Sequence, residues 1–112
     1  MYGSTDALVY LMDIFPTICE MTGTAVPDGL DGRSFKPVID GKAKSVRDSV
    51  FMSYRDCQRG IRDERWKLIR YPLINKTQLF DLQADPDELH SVADDPGQKE
   101  RIEKMMARLA EW

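Results

Sequence analysis

Between Leu11 and Thr22 the apolar positions Leu11, Ile14, Phe15, Ile18, Cys19 and Thr22 recur at the spacing of one helical face. Pro16 would break a helix interior, yet a first turn tolerates it because its missing N–H leaves no bond unmade there. The pattern predicts a helix from near Met12 or Asp13 to Thr22, with Asp13 favouring its positive end. Gly23 follows as a left-handed stop, and Ala7–Tyr10 ahead of it reads as a short strand. The periodicity then dissolves. Pro27, Gly29, Gly32, Pro37 and Gly41 punctuate residues 24–45 too densely for regular elements. Val26, Leu30, Phe35, Val38 and Ile39 nevertheless pin this loop to a surface, and one helical turn over Ser34–Ile39, capped by Ser34, is expected in it.

From Ser49 the period shortens to that of strands. "SVFMSY" (Ser49–Tyr54) is rich in β-formers. "GIR" and "RWKLIRY" flank Asp63-Glu64 as a tight hairpin, and "TQLFDL" gives a further strand, for three or four antiparallel strands in all. Asp95-Pro96-Gly97-Gln98 then supplies an N-cap, a proline at the first helical position and a capping-box glutamine. The helix that follows, about 96–112, carries Ile102, Met105, Met106, Leu109 and Trp112 along one stripe. Its opposite face alternates Lys and Arg with Glu. The expectation is an α+β chain: a small antiparallel sheet packed against a C-terminal helix, preceded by an N-terminal helix and a long loop.

Composition narrows the function classes. With 112 residues the chain has room for about one ordinary domain. Its 42% hydrophobic and 31% charged residues are those of a globular protein. A net charge of -3 offers no long-range attraction for nucleic acid or anionic membrane, so neither is expected as a partner. No apolar run approaches a membrane span, since Asp13 interrupts the longest, and no leader pattern is read at the start. Cys19 and Cys57 lie far apart without a C-x-x-C or a nearby histidine, which argues against zinc. Cys19 falls on the apolar helix face, where a buried free thiol is expected.

Two stretches carry candidate chemistry. "QLFDLQADPDELH" (Gln78–His90) gathers Asp81, Asp85, Asp87, Glu88 and the one histidine of the sequence. Asp81, Gln83 and Asp85 stand at alternate places as in a calcium loop, but Pro86 falls where that loop needs glycine. Asp85-Pro86-Asp87-Glu88 reads instead as a type I turn, and His90 as a surface side chain. "YRDCQRGIRDERWKLIRYP" (Tyr54–Pro72) mixes six cations with Tyr54, Trp66 and Tyr71. Interleaved Asp56, Asp63 and Glu64, with strand alternation, make it a solvated sheet face rather than a nucleic-acid site. What remains is Arg55 and Arg59 flanking Gln58 at a strand edge, where forked guanidiniums suit sulfate, phosphate or carboxylate.

In order along the chain, four segments resemble the C-terminal end of formylglycine-dependent sulfatases, in the alkaline phosphatase superfamily. "DIFPTICEMTG" is similar to the family's D-apolar-x-P-T helix, and "VPDGLDGRSFKPVIDGK" to the segment after it. "RDERWKL" resembles the R-x-x-x-[WY]-K-[LI] hairpin. "QLFDLQADPDELHSVADDP" resembles the "LYDLxxDPxExxNLA" signature, with Ser91 where asparagine is commonest.

The resemblance implies that residues 1–45 end a catalytic-domain-like part and that 46–112 form the C-terminal sulfatase subdomain. It implies a structural and pocket-rim role on sulfated carbohydrate, with Arg55, Gln58 and Arg59 as substrate-side contacts and a catalytic domain as partner. It further implies a periplasmic, extracellular or lysosomal setting. Neither cysteine stands in the family's C-x-P-S-R, so no catalytic or metal-binding residue is assigned. Formylglycine and calcium or magnesium are expected in the missing N-terminal domain, and this chain alone is expected to be inactive. The alternatives are the tail of a related phosphodiesterase or phosphonate hydrolase, and a free-standing truncated module that binds a protein partner. In the latter, apolar surface at Leu11, Ile14, Phe15 and Ile18 would also drive self-association.

Overall fold

A computed structural model describes residues 3–112. The chain divides into two compact units, one ending at Val50 and one spanning Phe51–Trp112.

In the first unit a 3-10 turn over Leu11–Asp13 leads into α1, Ile14–Thr22. Pro16 is its third residue, inside the tolerated first turn. Gly23 closes it in the left-handed conformation at φ 71. Ala7–Tyr10 is not a strand. Its backbone is extended at Tyr10 (φ -100, ψ 157), but a strand is defined by a ladder of hydrogen bonds to a second strand, and 7–10 takes part in no sheet among the described residues. The long loop carries one short helix, α2, Lys36–Ile39. Phe35 occupies the N-cap position, so Ser34 stands one residue early. Its hydroxyl accepts from Lys36 N at 3.2 Å and donates to Glu20.

The unit is assembled around the polar side of α1. Asp13, fully buried, accepts hydrogen bonds from Tyr10 N and Arg33 N, both at 2.7 Å, and from the guanidinium of Arg47. Thr17 Oγ1 donates to Asp13 O at 2.6 Å and accepts from Phe35 N at 3.0 Å. The loop passes so close that a Cβ on Gly32 would lie 2.3 Å from Met12 O. The other side of α1 is bare: Leu11, Ile14, Phe15 and Ile18 are exposed, while Cys19 is buried as a free thiol.

The second unit is built on a four-stranded sheet of β1 (Val50–Tyr54), β2 (Gln58–Arg62), β3 (Trp66–Tyr71) and β4 (Lys76–Asp81), in that spatial order. Pairing of β2 with β3 and of β3 with β4 is antiparallel. The β2–β3 turn is closed by Asp63 N donating to Trp66 O at 2.9 Å. Its tip is therefore Glu64-Arg65, one residue beyond the expected Asp63-Glu64. Asp63 Oδ1 accepts from Arg65 N and Trp66 N, which fixes the turn. The outer side of β4 is occupied: Leu79 N donates to Ser91 Oγ at 3.1 Å, and Val92 N donates to Leu79 O at 2.8 Å.

Helix α3, Lys99–Ala110, follows a 3-10 turn at Pro96–Gln98. Asp95 caps that turn by accepting from Gly97 N at 2.9 Å. The expected capping box does not close, because Gln98 Oε1 is taken by Arg101 Nε at 3.0 Å. Met105 inserts against Ile61, Trp66, Leu68 and Leu79, with Ile102, Met106 and Leu109 beside it and Val92 and Ala93 filling the edge. Burying each of the fully covered Ile61, Leu68 and Leu79 is worth roughly 1.5–3 kcal/mol. Trp112 lies past the helix end and is mostly exposed, but its ring stacks on Phe51 at 5.7 Å.

Candidate functional site

The β1–β2 turn, Tyr54–Cys57, is closed by Cys57 N donating to Tyr54 O at 3.2 Å. Arg55 sits in the left-handed region at φ 47, and its guanidinium lies 5.7 Å from the Tyr54 ring centre. Both side chains are exposed, while Gln58 and Arg59 are half-buried. The three residues singled out in the sequence do come together. Arg59 Nη1 donates to the carbonyls of Arg55 and Gln58. Arg59 thereby braces the turn that presents Arg55.

Antiparallel register brings the β3–β4 turn to the same end of the sheet. Arg59 stands directly opposite Arg70, and Arg70 opposite Thr77. Arg70 Nη1 donates to Thr77 Oγ1 at 3.1 Å, and Nη2 donates to Asn75 Oδ1. Residues directly opposite on antiparallel strands point to the same face. The sequence reading spread these cations over two faces and missed the pairing. Counting outward from the Asp63–Trp66 turn would have revealed it, since Arg62 opposite Lys67 puts Arg59 opposite Arg70.

The acidic stretch from Asp81 to His90 is occupied by structural bonds. Arg65 grips Asp81 through Nε at 2.9 Å and Nη2 at 2.6 Å. This guanidinium holds the Asp81 carboxyl down at about 2. Asp85 accepts from His90 N at 2.8 Å and Leu89 N at 3.1 Å, and those two N–H groups lower its pKa in that order. Glu88 N donates to Asp85 O at 3.1 Å, closing the expected turn, with Glu88 itself at φ 55. Glu88 Oε2 meets Lys67 Nζ at 2.6 Å. His90 is exposed. The stretch is a folded edge.

Sequence reasoning also missed the buried pair of Asp13 and Arg47, whose side chains are 0% and 5% exposed. The signal was present in the lone acid interrupting an apolar run, which had been credited only to the helix end.

Comparison with known proteins shows the family. The family described as N-sulphoglucosamine sulphohydrolase, C-terminal, matches residues 2–112. An ulvan-active sulfatase of Formosa agariphila is 30% identical over 98% of this chain and 30% of its own length. Among solved structures, a 2-O GAG sulfatase (BT1596) is 28% identical with a TM-score of 0.76, covering 88% of this chain and 23% of that one. A second, BT4656 in complex with its substrate D-glucosamine-2-N,6-O-disulfate, is 26% identical with a TM-score of 0.74, covering 88% and 22%. The chain thus spans less than a third of the length of these relatives. It belongs to the C-terminal domain family of the N-sulphoglucosamine sulphohydrolases, among the sulfatases of the alkaline phosphatase superfamily.

Proposed function

We infer that this chain serves as the C-terminal subdomain of a sulfatase acting on sulfated carbohydrate, with a structural and pocket-rim role and no hydrolysis of its own. The family match along 2–112, set against relatives more than three times as long, is the observation that carries this reading. Among the described residues no three His, Cys, Asp or Glu side chains converge to hold a cation. The metal and the formylglycine nucleophile are assigned, as the family resemblance implies, to an N-terminal catalytic part. That part is the proposed partner for the bare side of α1. Arg55, Gln58 and Arg59 are the proposed contacts at the substrate rim.

The test is sulfate release from an aryl sulfate ester by the purified chain and by a protein extended upstream to include C-x-P-S-R. Activity is expected only in the longer protein; release by the short chain above contaminant level would end the proposal. Exposure of Leu11, Ile14, Phe15 and Ile18 supports a further expectation, that the chain alone self-associates. A clean monomer in sedimentation would remove it.

A further inference from the structure

We propose that Arg59 and Arg70 form an anion-binding cleft that takes a sulfate or carboxylate group of a glycan, distinct from the group being cleaved. The inference rests on the sulfatase reading and deepens it. Like charges directly opposite on neighbouring strands destabilise a sheet unless something answers them. Elsewhere the chain answers covered cations with carboxylates: the buried Arg47 with Asp13, and the half-buried Lys67 with Glu88. Neither Arg59 nor Arg70 has a carboxylate partner among the described residues. Both are oriented instead by neutral oxygens that leave their full charge unspent.

Those oxygens also aim them. Arg59 is drawn toward the β1–β2 turn by the carbonyls of Arg55 and Gln58, and Arg70 toward the β3–β4 turn by Asn75 and Thr77. The two turns share one end of the sheet. A guanidinium has five N–H donors, and the bonds just named use only Nη1 of Arg59 and Nη1 and Nη2 of Arg70. Each Nε–H and the Nη2 of Arg59 remain without an acceptor among the described residues. Forked donors held in fixed orientation suit the oxygens of a sulfate or carboxylate, and their mutual repulsion is relieved when an anion enters. Local charge agrees. Residues 54–59 and 70–77 hold Arg55, Arg59, Arg70 and Lys76 against Asp56 alone, four cations to one acid, in a chain of net charge -3.

The probe is inorganic sulfate, titrated into the 112-residue chain at constant ionic strength while the arginine Nε–Hε resonances are followed. Saturable shifts are expected at Arg59 and Arg70, with Arg62 and Arg101 as internal controls. Arg59→Gln should weaken the response at Arg70 about tenfold, the loss of roughly one charge-assisted hydrogen bond. Arg70→Lys, which keeps the charge but not the fork, should weaken it at Arg59. Far-ultraviolet dichroism checks that each variant is folded, and if one is not, Asn75→Ala, which frees Arg70 without altering a cation, should still change the affinity. Non-saturating shifts equal at all arginines overturn the cleft as an adventitious ion only. Sulfate binding in a chain whose longer parent hydrolyses no sulfate ester keeps the cleft and removes the enzyme reading. An active parent with a silent titration removes the cleft alone.

Discussion

Replacing Asp13 with alanine strips three donors of their acceptor at once: Tyr10 N, Arg33 N and the Arg47 guanidinium. Arg47 suffers most. Its side chain is 5% exposed, and its Nε already lacks a partner among the described residues. After the substitution, among the described residues, the Tyr10 ring 4.5 Å away would be left to answer its charge. Removing one member of a buried ion pair costs about 3–5 kcal/mol, because the survivor is left desolvated and alone. That is a large share of the roughly 5–15 kcal/mol available to a whole domain. All the donors lie in the unit ending at Val50, so the loss should be local. Native-state hydrogen exchange reads this segment by segment. Amides from Tyr10 to Arg47 should lose protection while those of β2, β3 and α3 keep theirs. A second variant isolates the pair: Asp13→Ala with Arg47→Met should cost less than the two single changes added, since no charge is then stranded. A single-variant cost below about 1 kcal/mol, or simple additivity in the double variant, would refute the view that this pair organises the unit.

Three further outcomes are expected. Gly32→Ala places a methyl 2.3 Å from Met12 O, a backbone atom that cannot swing aside, and should destabilise the first unit by about 1–3 kcal/mol in urea titration. Leu79→Ala opens a void beside Leu68 and Met105 and should cost about 2–5 kcal/mol, read as a lowered midpoint of tryptophan fluorescence. The pKa of Asp81 is held below its ordinary value, to about 2, so its pairing with Arg65 contributes stability above about pH 4 that fades as pH falls toward 2. The melting temperature should decline across that window, and Arg65→Gln should flatten the decline; an unchanged acid limb would contradict the pairing.

Elements whose cause is local were readable from the sequence. Gly23 ends α1 because few other residues adopt φ 71 easily, and Asp95 with Pro96 opens the last helical segment because a cap and a pre-set φ act within a few residues. The strands were read to within a residue or two, since alternation and turn chemistry agree there. Illegible features depend on distant partners. Asp13 looked like a helix-end charge because its true partner is 34 positions away. Gln98 looked like a box residue until Arg101 competed for its oxygen. Ala7–Tyr10 has the residues of a strand but forms no strand among the described residues. Arg59, Gln58 and Arg55 were read from the sequence as an anion-friendly edge, whereas the position of Arg70 opposite Arg59 became visible only with the β2–β3 register.

The bonds from Ser91 and Val92 to Leu79 give the acidic signature a purpose apart from catalysis. An outermost strand with bare amides is a template on which another chain can grow, and one route to fibrous aggregates. By turning sharply at Asp85–Glu88, the chain folds back and seals its own flank at mid-strand. A hydroxyl at position 91 can accept the Leu79 amide, as could the carboxamide of asparagine. The Ser91 hydroxyl thus occupies an amide of the outermost strand that another chain would otherwise reach.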